Sequence, residues 1–117
     1  MTDDQVKKLE SLGVNLEETL ERFVENEALY FKCLNKLLED KNYDSMLKGI
    51  DDDDAETAFD AAHALKGISA NLGLDKLYRE MKIITEVFRS GSTDFDSKNL
   101  LRIDDAYKEA VRIIKEL

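Results

Sequence analysis

The chain of 117 residues contains no proline, and it has only one cysteine and one histidine. A single cysteine excludes an intramolecular disulfide, and one cysteine with one histidine cannot supply a zinc site. Five glycines and an apolar fraction of 43% complete a composition that is typical of a compact helical protein. A chain of this length forms one domain with one modest core, so we expect a single domain over residues 1–117.

Long apolar runs are also absent, since no segment approaches the roughly 20 apolar residues that a membrane helix needs. The N-terminal sequence MTDDQVKKLE lacks the basic and apolar regions of a secretory signal. The net charge of -9 argues against nucleic acid or acidic lipid as a partner. We therefore expect a cytoplasmic monomer that binds neither a membrane nor nucleic acid.

Apolar residues recur at helical spacing in every sizeable segment, and no segment alternates as a strand does. This pattern predicts an all-α fold, with a short helix that ends at Gly13 and another at about 42–50. The long helices are predicted at about 16–40, 54–72, 74–90 and 97–116. The first of them should bury one apolar stripe, flanked by Val24, Phe31 and Leu38. Short connections favour an antiparallel up-down-up-down four-helix bundle.

The acidic run DDDD at residues 51–54 is a candidate calcium-binding site, because carboxylates are good ligands for hard cations. An EF-hand loop that began at Asp51 would need glycine at its sixth position and glutamate at its twelfth. Glu56 and Ala62 occupy those positions. We therefore expect no metal site, and predict that Asp53 or Asp54 caps the following helix.

The segment AAHALKGISANLG at residues 61–73 has two faces when it is placed on a helix at roughly 100° per residue. The core face contains Ala58, Ala61, Leu65, Ile68 and Leu72. His63 points away from that face, which predicts an exposed imidazole. The same exposed side carries Phe59, Lys66, Gly67 and Ala70, with Asn71 at its edge.

The neighbours of His63 favour a function over a surface histidine that does nothing. Gly67 in a helix interior costs on the order of 1 kcal/mol relative to alanine, so something must approach that surface. Lys66 is three residues from His63, where its ammonium can reach an anion attached to the imidazole. Phe59 lies one turn earlier and is predicted to belong to a docking patch with Ala70 and Asn71.

These residues resemble the histidine-containing phosphotransfer (HPt) domain of two-component phosphorelays. The family motif H-x-x-K-G corresponds to His63, Lys66 and Gly67, and the motif often continues to an Asn-Leu-Gly sequence, which is present here at residues 71–73. The resemblance implies that His63 accepts a phosphoryl group from an aspartate of a receiver domain and passes it to another receiver. By the same resemblance, Lys66 would compensate the negative charge of the phosphoryl group, and Gly67 would leave room for the partner to reach His63.

The resemblance also implies the partners, which are response-regulator receiver domains and possibly a hybrid histidine kinase. The domain would need no cofactor of its own, since Mg²⁺ would be bound by the receiver. Autonomous kinase activity is not expected, because the chain has no Gly-rich phosphate loop.

Two alternatives compete with this interpretation. The dimerisation helix of a sensor kinase places an acidic residue directly after its histidine and a proline five positions on, where this chain has Ala64 and Ile68. That alternative is disfavoured. A helical adaptor that binds a partner through the His63 and Phe59 face without carrying phosphate remains open.

Overall fold

The computed structural model describes all 117 residues and is entirely helical, as predicted. Its seven α-helices are α1 (Asp3–Ser11), α2 (Leu16–Arg22), α3 (Glu27–Leu37), α4 (Asn42–Asp51), α5 (Ala55–Leu72), α6 (Asp75–Arg89) and α7 (Ser97–Glu116). Helices α3, α5, α6 and α7 alternate in direction and form an antiparallel bundle. None of the seven helices is both long and apolar enough to cross a membrane.

The boundaries of α5, which carries the histidine, are set by its two flanking residues. Asp54 is the N-cap, and its side chain accepts a hydrogen bond of 3.1 Å from the backbone N–H of Thr57. Hydrogen bonds from Thr57 lower the pKa of the Asp54 carboxyl. At the other end, Gly73 adopts a left-handed φ of 74°, which stops the helix.

Helix α4 packs closely against the first turns of α5. A Cβ atom on Gly49 would lie 2.6 Å from the backbone nitrogen of Ala58, so only glycine allows this approach. Helix α4 is also fixed to α7, because the Tyr43 hydroxyl donates to the Asp104 carboxylate and the Tyr43 ring stacks on Tyr107. Lys108 and Tyr43 together lower the pKa of Asp104.

The predicted long helix at 16–40 is wrong, because the chain breaks between α2 and α3. Val24 and Glu25 have left-handed φ values of 55° and 58°, and Asn26 then caps α3 by accepting a 3.0 Å hydrogen bond from the Leu29 backbone N–H. Val24 is 85% exposed, so its predicted place beside the apolar stripe is also wrong. The helix ends at Leu37 rather than at residue 40.

The break is hidden in the sequence because it preserves the spacing of the buried residues. Phe23 before the break and Tyr30 after it are both buried, and their ring centroids are 5.1 Å apart. A continuous helix would bring residues seven positions apart to the same face. The spacing of apolar residues therefore looks uninterrupted. The only sequence signal for the start of α3 is Asn26, a residue type that commonly caps helices.

We predict that Val24→Gly raises the free energy of unfolding by about 0.5 to 1 kcal/mol. A left-handed φ costs an L-residue roughly 1 to 2 kcal/mol, which outweighs the greater flexibility of glycine in the unfolded chain. Urea unfolding measures the change. Leu29→Gly, also at an exposed apolar position but within α3, is the control and should destabilise by about 1 kcal/mol or more. A less stable Val24→Gly variant would contradict the assigned strain.

Candidate functional site

Helix α5 is covered on one side and open on the other. Its buried residues are Ala58, Ala61, Ala62, Leu65, Ser69 and Leu72. Its exposed residues include His63, Gly67, Ala70 and Asn71, which lie on the side that helical periodicity predicts to face solvent. The predicted site residues therefore share one accessible face of a single helix.

The imidazole of His63 has one close aromatic neighbour and no hydrogen-bond partner in the chain. Phe59 stacks beside it, with ring centroids 5.4 Å apart and planes inclined by 17°. Within α5, only Thr57 and Ser69 make side-chain hydrogen bonds. Both ring nitrogens of His63 are therefore free to react with, or bind to, an external group.

Lys66 provides a positive charge that no acidic side chain of the protein neutralises. Its side chain is half-buried. The ion pairs of the protein involve other cationic groups. An anion bound near His63 would meet an ammonium that has no competing partner.

Gly67 is not required by the packing of the protein itself. A Cβ atom at this position would meet nothing within 4 Å, in contrast to the tight contact at Gly49. Gly67 also lies inside α5, where glycine has a poor helical propensity. The intramolecular structure thus supplies no reason for glycine here, and its effect is a clear surface one turn from His63.

Sequence reasoning missed a second cation beside the site. The guanidinium carbon of Arg89, at the end of α6, lies 4.8 Å from the centroid of the Phe59 ring. Its Nε donates to Glu86 at 3.1 Å. The antiparallel turn at Gly73 brings Arg89 opposite Phe59, since the two lie about equally far from that turn. The pairing register of α5 and α6 was therefore the signal that could have identified Arg89.

The far end of the exposed face is held by Arg22, which sequence reasoning also missed. Its Nη2 donates to the backbone carbonyls of Ala70 at 3.1 Å and Asn71 at 3.3 Å. A cation at this position is favourable because the carbonyl end of a helix carries partial negative charge. Beneath it, the Tyr30 hydroxyl donates to the Leu72 carbonyl at 2.9 Å, and burial raises the pKa of Tyr30.

The surface around His63 is open rather than enclosed. The groove beside Ala70, of about 470 Å³, is lined by residues of α2, α5 and α6 and includes neither His63 nor Lys66. No group of three or more His, Cys, Asp or Glu side chains in the protein could hold a metal ion. Within the acidic run, Asp53 accepts a hydrogen bond from Thr93 and Asp54 caps α5. Such an exposed nucleophile with a free ammonium suits group transfer to and from another macromolecule.

Comparison with known proteins identifies one family. The family model for the Hpt domain matches residues 9–112, which cover most of the chain and all of α5. Neither a curated protein nor a solved structure matches the chain.

We predict that Gly67→Ala raises the free energy of unfolding by about 1 kcal/mol, because alanine favours the helix and its methyl group meets no other atom. Thermal or denaturant unfolding measures the difference. The matched control is Gly49→Ala, which should destabilise the protein because its methyl group would collide with the backbone of α5. A loss of stability in Gly67→Ala would show that this glycine serves the fold.

Proposed function

Because the chain belongs to the Hpt domain family, whose members transfer phosphoryl groups in two-component phosphorelays, we propose that it is a phosphorelay carrier with His63 as the phosphoacceptor. The observation that carries the assignment is the exposed imidazole of His63, which has no hydrogen-bond partner and lies on the same helix as the unpaired Lys66, three residues away, and the open surface at Gly67, one turn away. The proposal includes no kinase activity of the domain itself.

The proposed reaction is a reversible transfer between nitrogen and oxygen. A ring nitrogen of His63 attacks the phosphorus of an aspartyl phosphate on a receiver domain with its lone pair. The N–P bond forms as the acyl O–P bond breaks, and the carboxylate leaves with the electrons of that bond. The other ring nitrogen then releases its proton to water. The reverse sequence delivers the phosphoryl group to an aspartate of a second receiver.

Lys66 and Gly67 have separate roles in this proposal. Phosphoryl transfer depends mainly on positioning and on stabilising the charge of the phosphoryl oxygens. The Lys66 ammonium supplies that charge, since no carboxylate of the chain competes for it. Gly67 leaves room for the receiver to approach, while Phe59, Ala70 and Asn71 border the surface on which it docks.

The partner completes the chemistry. We propose that the receiver brings Mg²⁺ with its acidic pocket, so the carrier needs no cofactor of its own. Hpt domains interact with receiver domains and histidine kinases, and a hybrid histidine kinase is a further proposed partner.

We further propose that the protein is a cytoplasmic monomer. Only five large apolar side chains are exposed, and they come from the N-terminus, the break between α2 and α3, and three helices, which supports the monomeric state in this proposal. They are Met1, Val24, Leu29, Ile83 and Leu101.

The assignment is tested by incubating the domain with a receiver phosphorylated on its aspartate and measuring acid-labile phosphate on the domain. The native protein should accumulate phosphohistidine, and His63→Gln should accumulate none, because the chain has no other histidine. Circular dichroism verifies that the variant is folded. Transfer that persists in His63→Gln would refute the assignment. Receiver binding without phosphate uptake by the native protein would support the adaptor alternative.

We predict that Lys66→Gln slows phosphoryl transfer by about tenfold, because the variant loses a cation that stabilises the charge of the transition state. The effect is limited to this size because solvent partly screens the charge at this position. Rapid-quench measurement of phosphohistidine formation gives the rate constant. Lys115→Gln removes the same charge from the last turn of α7 and is the matched control, which should transfer at the native rate. Equal rates in the two variants would remove Lys66 from the mechanism.

A further inference from the structure

We propose that Phe59 is a positioning residue for the His63 imidazole, and that Arg89 and Glu86 hold the Phe59 ring in place. This inference rests on the proposed role of His63 as phosphoacceptor. It gives Phe59 a function within the transfer step, in addition to any contact that it makes with the receiver.

The first support is the contrast between the two stacked rings. Phe59 is half-buried and packs against the hydrophobic core, so the core restrains its ring. His63 is exposed and makes no hydrogen bond. The stacking contact, at 5.4 Å between centroids and 17° between planes, is therefore the interaction that limits rotation of the imidazole.

The second support is the ion pair that lies over the same ring. The Arg89 guanidinium is 4.8 Å from the Phe59 centroid, within the range of a cation–π interaction. Its Nε is bound to the Glu86 carboxylate one turn earlier on α6, at 3.1 Å. Arg89 has no other ion-pair partner in the protein. Glu86 thus favours a position of the guanidinium over the Phe59 ring, although the pair is exposed and contributes modestly.

This restraint acts on the step that follows docking. Attack on phosphorus requires a ring nitrogen to be aligned with the bond that breaks, and alignment before the encounter lowers the entropic cost of the transition state. A freely rotating surface histidine would lose its rotational freedom at each encounter. Stacking on Phe59 restricts the imidazole in advance and leaves its nitrogens uncovered.

Positioning and docking predict different kinetics. A residue that only binds the receiver changes the receiver concentration needed for half-maximal transfer. A residue that only orients the imidazole changes the transfer rate at saturating receiver. Measuring single-turnover transfer over a range of receiver concentrations separates the two effects.

The test compares Phe59→Leu, which keeps an apolar contact with the core but removes the flat ring, with Phe59→Tyr, which keeps the ring. In Phe59→Leu we expect the saturating rate to fall about 2- to 10-fold, the range that corresponds to an aromatic pair. Any change in the half-saturating concentration reports the separate contact of Phe59 with the receiver. Phe59→Tyr should restore the native rate. Phe31→Leu, the same change at another half-buried aromatic of the core, is the control and should transfer normally.

A second readout needs no receiver. In the native protein, the ring current of Phe59 should shift the NMR resonances of the His63 ring protons, because the two rings are stacked. Phe59→Leu should move these resonances to the values of a free histidine, and Arg89→Gln should move them part of the way. Because this spectrum is recorded before any phosphorylation, it reports the restraint separately from any contact between Arg89 and a phosphoryl group.

The proposal is overturned if Phe59→Leu raises the half-saturating concentration at an unchanged saturating rate, which would make Phe59 a docking residue alone. It is equally overturned if the His63 resonances do not respond to Phe59→Leu. Loss of the proposed function has a different signature, namely phosphate uptake that persists in His63→Gln.

Discussion

The close approach of α4 and α6 to one side of α5 is the constraint on which the site depends. Small buried residues on that side, such as Ala58 and Ala61, let the neighbouring helices come near. Gly49 of α4 has no side chain that would collide with Ala58. Burial of this side orients the helix about its own axis, because a rotation would expose Leu65 and bury polar groups. The direction in which His63 faces is therefore fixed by packing on the opposite side of its helix.

The charge around the exposed face differs from the charge of the whole protein. The chain carries 26 acidic and 17 basic residues, so its long-range field repels an anion such as a phosphoryl group. Screening limits that field to roughly 8 Å at physiological ionic strength. The exposed face of α5 carries the unpaired Lys66, and Arg89 lies beside Phe59, while Glu56 and Asp60 of the same helix are also exposed. The proposed approach of a phosphoryl group therefore depends on these two cations near His63 and not on the net charge.

The sequence was sufficient to predict what depends on local periodicity and capping. The two faces of α5, a cap at Asp53 or Asp54 and the left-handed end at Gly73 all follow from interactions within a few turns of one helix, and the structure shows that Asp54 is the cap. The break before Asn26 was missed, because the buried residues on both sides keep helical spacing across it. Rules based on neighbouring residues thus predict a single helix correctly. They fail where a continuous helix and a broken helix would have the same spacing of apolar residues.

The contributions of Arg22 and Arg89 could not be predicted from local rules at all. Arg22 reaches the α5 carbonyls from α2, and Arg89 reaches Phe59 from α6. Both side chains are exposed arginines in sequence segments without any motif. Their places depend on how the helices pack, so a residue near the site is identified only when the pairing register between helices is known.

The proposed role, in which a carrier exchanges a phosphoryl group with two receivers, places conflicting requirements on the nucleophile His63. The imidazole must be accessible, since each receiver has to reach it, but an accessible side chain is normally free to rotate. Enclosure in a pocket would restrain it and exclude the partners. A ring on the preceding turn of the same helix can restrain the imidazole from one side. It does so without covering the ring nitrogens. In the proposed arrangement Phe59, which packs against the core and is bordered by Arg89, would meet both requirements.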